Sequence, residues 1–137
     1  MQTATGSCPT STAMYNPTLH ALWVTANETR QAFEAGLFDV AVARLAYRAY
    51  APGLDIDLFL ARSHALFPAL NCGLCSAYLR AVLQRGSIRR GYYDGEPHTV
   101  LMVGSTVIDV TADQFGGPAV YVGPERPPWG FPYRGAF

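Results

Sequence analysis

The sequence has no excess of charge and no long apolar segment. Its 137 residues include ten basic and ten acidic ones, so the formal net charge is zero. This balance offers no electrostatic footprint for nucleic acid or for an anionic membrane, and we expect neither as a partner. No apolar run approaches the ~20 residues that a membrane-spanning helix needs. The start, M-Q-T-A-T-G-S-C, has no secretory signal pattern, so we expect a cytoplasmic location by default and leave export as an effector by another route open.

Cysteine is scarce and odd in number. The three cysteines cannot all pair within one chain, which argues against a disulfide framework and favours a reduced protein. Two of them stand three residues apart in the stretch N-C-G-L-C-S-A-Y-L, as Cys72 and Cys75, whereas Cys8 lies in a leader rich in Ser and Thr. The chemistry of this pair is the main functional question that the sequence raises.

The order of sequence patterns predicts an α+β fold. Residues 1–14 are expected to be a loose leader, and residues 15–137 a single domain. Helices are predicted first, beginning near Asn16-Pro17, Asp39, Asp55 and Asn71, where good capping residues precede helical spacing of apolar side chains. Short β-branched and aromatic segments then predict a small antiparallel sheet. From Gly123 onward, four prolines among aromatic residues predict no regular structure, only packing against the core or along a groove.

Three chemistries are open to the C-x-x-C pair. A structural zinc site needs four ligands, and the three histidines show no paired spacing that would complete one, so no metal is expected. A thioredoxin-like redox pair normally follows a strand, but the preceding segment A-R-S-H-A-L-F-P-A-L reads as helix and loop. A thiol nucleophile fits better, because the first turn of a helix stabilises a thiolate through its free N–H groups and its dipole.

The predicted hairpin supplies a base and an orienting acid for such a nucleophile. A two-residue turn at Gly104-Ser105 would place His98 and Asp109 on the same face of two neighbouring strands. They are then diagonal neighbours ~7–8 Å apart at the backbone, within side-chain reach of each other. If the start of the fourth helix packs against that face, Cys72, His98 and Asp109 converge as nucleophile, base and orienting carboxylate.

These residues carry a family resemblance. The motif C-G-x-x-S-x-x-L at a helix start, a histidine that opens a strand, and D-V-T-A-D-Q-F-G together resemble the papain-like and transglutaminase-like thiol superfamily. The sequence is most similar to small, uncharacterised bacterial and phage members with a D-x-T-A-x-Q-F-G signature. The resemblance spans residues 70–123, about 40% of the chain. It implies a papain-like or transglutaminase-like core in which Cys72, His98 and Asp109 form the catalytic triad.

Several residues near the motif remain secondary candidates. Cys75 gives a rival alignment as nucleophile, because papain-type enzymes have the motif C-G-S-C-W, in which the second cysteine attacks. We expect it instead to be a small buried side chain. Asp113 is the second choice for the orienting acid. Gln114 would either donate to an oxyanion or substrate amide, or satisfy loop backbone, and the sequence does not choose between the two.

The resemblance implies a cysteine-dependent amide hydrolase or acyl transferase that works through an acyl-thioester. Peptidases, glutamine deamidases and transglutaminases all fall within this expectation, with a peptide or protein amide as substrate and no cofactor. Two alternatives stay open. One is a catalytically silent binding or effector module of the same fold, and the other is a thiol–disulfide protein that uses Cys72 with Cys75.

Overall fold

The computed structural model describes residues 17–131, in which four helices precede an antiparallel sheet. The sheet is curled into a half-barrel with strand order β4-β3-β2-β1-β5, so the α+β prediction is confirmed. The predicted leader, Cys8, Asn16 and the end of the aromatic tail lie outside the described residues. The helices are α1 (Pro17–Ala35), α2 (Val40–Tyr50), α3 (Ile56–Leu66) and α4 (Cys72–Leu83), and the strands are β1 (Ser87–Tyr93), β2 (Glu96–Val103), β3 (Thr106–Asp109), β4 (Tyr121–Pro124) and β5 (Trp129–Gly130).

Two helices begin where a capping aspartate was predicted. The Asp39 carboxylate accepts hydrogen bonds from the backbone N–H groups of Ala41 and Val42, and the Asp55 carboxylate accepts one from Leu58. These bonds satisfy donors that the first helical turn leaves without an intrahelical partner, and each is typically worth ~1 kcal/mol.

Asn71 behaves differently from those two caps. Its side chain is buried and donates to the backbone carbonyls of Ser63 and Ala69, with no capping bond to α4. Asn71 therefore directly precedes α4 as predicted, but it does not cap the helix through its side chain, because these two bonds orient its amide toward the preceding loop. Since the Asn71 carbonyl takes its helical bond from Cys75, the N–H groups of residues 72–74 have no intrahelical partner.

The sheet separates two apolar clusters, because alternate side chains of a strand point to opposite faces. On one face, Leu101, Val103 and Ile108 pack against buried residues of all four helices. On the other face lies a smaller cluster formed by strand residues and by Ala112, which follows β3. Its buried members are Tyr93, Val100, Met102, Val107, Ala112, Tyr121 and Trp129.

The β2–β3 hairpin has the predicted register, with Val103 opposite Thr106 and Leu101 opposite Ile108. The tail packs against the core as predicted, since Trp129 is buried, but it is not without regular structure. Strand β4 continues to Pro124, and Trp129–Gly130 forms the edge strand β5 against Tyr92 and Tyr93. Prolines were a poor guide here, because an edge strand needs few of its N–H groups for pairing.

Within residues 17–131, no helix combines the length and the apolar composition that crossing a bilayer requires.

Candidate active site

Cys72 is the first residue of α4 and is partly exposed. The next residue, Gly73, leaves room for α2, since a Cβ atom there would lie 3.0 Å from the ring of Tyr50. The body of α4 packs on the helix-covered face of the sheet, whereas His98 lies with the smaller cluster on the other face. The start of α4 comes close to His98 through Cys72, since both line one cavity, while the body of the helix packs on the opposite face of the sheet.

His98 and Asp109 are in direct contact. Nε2 of His98 lies 2.7 Å from Oδ2 of Asp109, and both side chains are 1% exposed. The predicted diagonal pairing across the hairpin is thus present as a buried hydrogen bond. Because an ionised carboxylate is costly to bury without partners, this contact requires further donors around Asp109.

Those donors come from Thr111 and Trp129. The backbone N–H of Thr111 donates to Oδ1 of Asp109 at 2.9 Å, and its hydroxyl lies 3.4 Å from the same oxygen. The indole N–H of Trp129 donates to Oδ2 at 2.8 Å. Both carboxylate oxygens are therefore held, and the acid has a fixed orientation toward His98. Trp129 is a site residue that the sequence analysis placed only in an aromatic tail.

The second ring nitrogen of His98, Nδ1, is the one that could interact with the thiol of Cys72. Nδ1 is buried and has no hydrogen-bond partner in the part of the chain that the structure describes. Since Asp109 accepts from Nε2, the neutral ring carries its proton on Nε2 and presents a lone pair at Nδ1, an assignment that follows from the hydrogen bonds. The Cys72 thiol lies close enough for the two groups to shift each other's pKa, although not at full hydrogen-bonding geometry.

These contacts bias the pair toward the charged form. Burial lowers the pKa of His98, but the hydrogen bond and charge of Asp109, together with those of Cys72, outweigh it and raise the pKa to about 9. Burial likewise raises the pKa of the Cys72 thiol. His98 and the backbone and hydroxyl of Thr99 outweigh that effect, so the pKa of Cys72 is lowered. Both pKa shifts favour a thiolate beside an imidazolium over the neutral pair.

Aromatic rings fix the plane of the imidazole. The Phe115 ring meets the His98 ring edge-on, with centroids 5.2 Å apart and an interplanar angle of 90°. Tyr93 meets it at 6.2 Å and 78°. The ring therefore has little freedom to turn away from Asp109.

A cavity of about 180 Å³ opens beside the thiol. Its walls combine Cys72 and His98 with the part of the β1–β2 hairpin that is nearer to the turn. The lining residues are Cys72, Arg90, Gly91, Pro97, His98 and Thr99.

The secondary candidates lie elsewhere. Cys75 is 2% exposed in the main core, and burial raises the pKa of its thiol well above the ordinary value, so it occupies the place of a small apolar side chain. Asp113 forms a two-pronged ion pair with Arg30, both contacts at 2.7 Å, and does not contact His98. Gln114 donates its amide to the Thr111 carbonyl at 3.1 Å, which is the backbone-satisfying alternative.

Arg30 is a second residue that the sequence analysis missed. Besides Asp113, its guanidinium donates to the Val110 carbonyl at 2.9 Å, and the side chain is 9% exposed. It therefore ties α1 to the segment that directly follows Asp109. The sequence held one signal for it, an arginine within an otherwise apolar helical pattern.

No group of three or more His, Cys, Asp or Glu side chains among residues 17–131 is arranged to hold a metal ion. No protein-family model matches the chain, and neither a curated protein nor a solved structure is significantly similar to it.

Proposed function

We propose that this chain is a cysteine-dependent amide hydrolase or acyl transferase with a papain-like or transglutaminase-like core. The observation that carries the proposal is the buried His98 ring, whose Nε2 is bound to Asp109 at 2.7 Å, whose Nδ1 has no partner within residues 17–131, and which lines one cavity with Cys72. A structural histidine would have both nitrogens satisfied, because a buried polar atom without a partner costs ~1–3 kcal/mol.

The chemistry follows from this arrangement. The Cys72 thiolate attacks the amide carbonyl carbon, forming a C–S bond while the carbonyl electrons move to oxygen. His98 then donates its Nδ1 proton to the leaving nitrogen as the C–N bond breaks, leaving an acyl-thioester on Cys72. Water or an amine attacks the thioester, His98 takes the proton from that nucleophile, and the thiolate leaves. Asp109 stays ionised and holds the ring throughout.

The uncapped start of α4 provides the oxyanion site. Because Asn71 makes no capping bond, the backbone N–H groups of Cys72 and Gly73 are available to a developing oxyanion next to the attacking sulfur. Gln114 has no role in this proposal, since its amide is used by the Thr111 carbonyl.

The acceptor decides between hydrolysis and transfer. Peptide or protein amides are the proposed substrates, with no cofactor. The sequence contains no lysine, so the chain offers no lysine side chain of its own as acyl acceptor. Transfer in a purified sample is therefore limited to an added amine, an amine of the substrate or an α-amino group, and these products can be told apart from hydrolysis by mass.

A generic acyl donor tests the proposal without a known substrate. Incubation with p-nitrophenyl acetate should place an acetyl group on Cys72, located by mass spectrometry, and release a burst of nitrophenolate. Cys72→Ala should lose the burst while keeping its folded circular dichroism spectrum, and Cys75→Ala is the matched control that should keep both. An unchanged burst in Cys72→Ala would exclude this thiol as the nucleophile.

A further inference from the structure

Two cavities lie along one seam between α4 and β1. The helix and the strand run in opposite directions. At one end Nε of Arg80 donates to the Gly86 carbonyl at 3.1 Å, and at the other end Cys72 and Arg90 line the same cavity. The second cavity, of about 390 Å³, lies between them and α2. Arg80 is eight positions after Cys72 in α4, which corresponds to a rise of ~12 Å along the helix.

The walls of the second cavity are mostly apolar. They have the dimensions and the composition of a ligand cleft, with small side chains on both helices and one aromatic ring. Tyr50, which packs against Gly73, lies at the end nearer to the thiol. The lining residues are Ala46, Ala49, Tyr50, Ala77, Arg80, Ala81, Ser87 and Ile88.

The formal charge along this seam is of one sign. Apart from the His98–Cys72 pair, Arg90 is the only charged residue that lines the first cavity, and Arg80 the only one that lines the second. No Asp or Glu lines either cavity. Both arginines are exposed, and neither forms an ion pair within residues 17–131. Exposed guanidinium groups beside a cleft are well suited to bind a carboxylate in a two-pronged geometry.

We propose that this site takes an acidic peptide, an inference that rests on the proposed thiol chemistry. One carboxylate next to the reacting carbonyl binds Arg90. A second carboxylate, three to four residues from the reacting carbonyl, binds Arg80. An extended peptide advances ~3.3 Å per residue, and Arg80 lies ~12 Å from Cys72 along α4. Small side chains between the two carboxylates fit the alanine-lined walls.

A pair of alkylating reagents tests the Arg90 contact. Iodoacetate and iodoacetamide react with the same thiolate and differ in charge, so the ratio of their rates at Cys72 cancels any change in thiolate fraction. We expect Arg90→Gln to lower the iodoacetate-to-iodoacetamide ratio roughly three- to fivefold at low salt, and 1 M salt to remove most of the difference.

Arg89 supplies the matched control. It is the neighbouring residue on β1 and lies on the other face, with its guanidinium 4.9 Å from the centre of the Phe131 ring. Arg89→Gln removes the same charge from the same strand, and should change the reagent ratio by less than about twofold. An equal effect of both variants would mean that the general field of the protein, and not a binding contact, sets the preference.

A longer probe tests the Arg80 contact. Bromoacetyl-Ala-Ala-Ala-Glu amide and its Gln counterpart alkylate Cys72 by displacing bromide, and differ only in one carboxylate. The Glu probe should react faster with the wild type, and Arg80→Gln should remove that advantage while leaving the iodoacetate preference unchanged. Equal rates for the two probes with the wild type would overturn this part of the proposal.

The outcomes separate the two proposals. Rapid labelling of Cys72 with no anionic preference would refute the acidic substrate and leave the thiol enzyme standing. Labelling of Cys72 no faster than that of an ordinary exposed thiol would refute the thiol enzyme, and the substrate inference would fall with it.

Discussion

Replacing Asp109 by Asn tests whether its charge primes the thiol. The amide has the shape of the carboxylate but carries no charge, and its NH₂ group would face the donors of His98 and Trp129 if it took the place of Oδ2. The substitution therefore removes the main partner that keeps His98 protonated, while the cavity and the Cys72 side chain remain in place.

The size of the effect follows from the pKa of His98. Its rise from 6.5 to about 9 corresponds to roughly 3 kcal/mol of preference for the imidazolium, built mainly by Asp109 against the opposing effect of burial. Without that charge, burial should return the pKa of His98 to its ordinary value or below it. The thiolate of Cys72 then loses its charged neighbour, and we expect its alkylation rate near pH 7 to fall between about 10- and 100-fold.

The assay is the rate of iodoacetamide labelling at Cys72 against pH, followed by mass spectrometry. A folding defect must be separated from loss of priming, because an Asn NH₂ group in the Oδ2 position would leave the buried indole N–H of Trp129 without an acceptor, at a cost of ~1–3 kcal/mol. The double variant Asp109→Asn/Trp129→Phe removes that donor. It should recover stability to urea without recovering the labelling rate. A wild-type rate at pH 6.5 in Asp109→Asn would refute the reasoning.

The wild-type labelling profile should show two steps, one below the ordinary cysteine pKa as the thiolate forms beside the imidazolium and one near pH 9 as His98 deprotonates, whereas His98→Gln should show a single step. Because folding raises the pKa of His98, its contribution to stability is full below pH 6.5 and is lost as pH rises through 9, so the wild-type advantage over His98→Gln in urea unfolding should shrink across that interval. Arg30→Met should lower the free energy of unfolding in urea by roughly 2 kcal/mol or more, since it leaves the Asp113 carboxylate without its ion pair. Adding Asp113→Asn should recover part of that stability. Cys75→Ala should lower the free energy of unfolding by about 1 kcal/mol through a small core cavity and leave labelling of Cys72 unchanged. A thiol–disulfide protein that uses Cys72 with Cys75 would instead lose its activity in this variant.

The parts of this molecule that local chemistry determines could be predicted from the sequence. Asp39 and Asp55 are caps because a short carboxylate before a helix finds free N–H groups within three residues. The contact of His98 with Asp109 follows from a two-residue turn and the alternation of side chains along two short strands. Both inferences need only a few residues of context.

The parts that depend on distant segments could not be predicted. Asn71 has the sequence context of a cap, yet its amide goes to the Ser63 and Ala69 carbonyls, a competition that sequence alone does not reveal. The indole of Trp129 reaches Asp109 only because Trp129–Gly130 pairs as an edge strand, twenty residues later in the chain. A strand of two residues has no periodicity to recognise.

The carboxylate of Asp109 links these distant segments to the thiol. Its Oδ2 accepts hydrogen bonds from His98 and Trp129, and its Oδ1 accepts one from Thr111. Arg30 of α1 donates to the carbonyl of the preceding residue, Val110, and so holds this segment in place. A buried anion with so many donors has one stable position, and the imidazole takes its direction from it. Helix α1 and the edge strand β5 therefore act on the same carboxylate, one at each of its oxygens. Their role in the proposed enzyme is to keep Nδ1 of His98 directed at the start of α4, a task that the hairpin alone would leave to a mobile side chain.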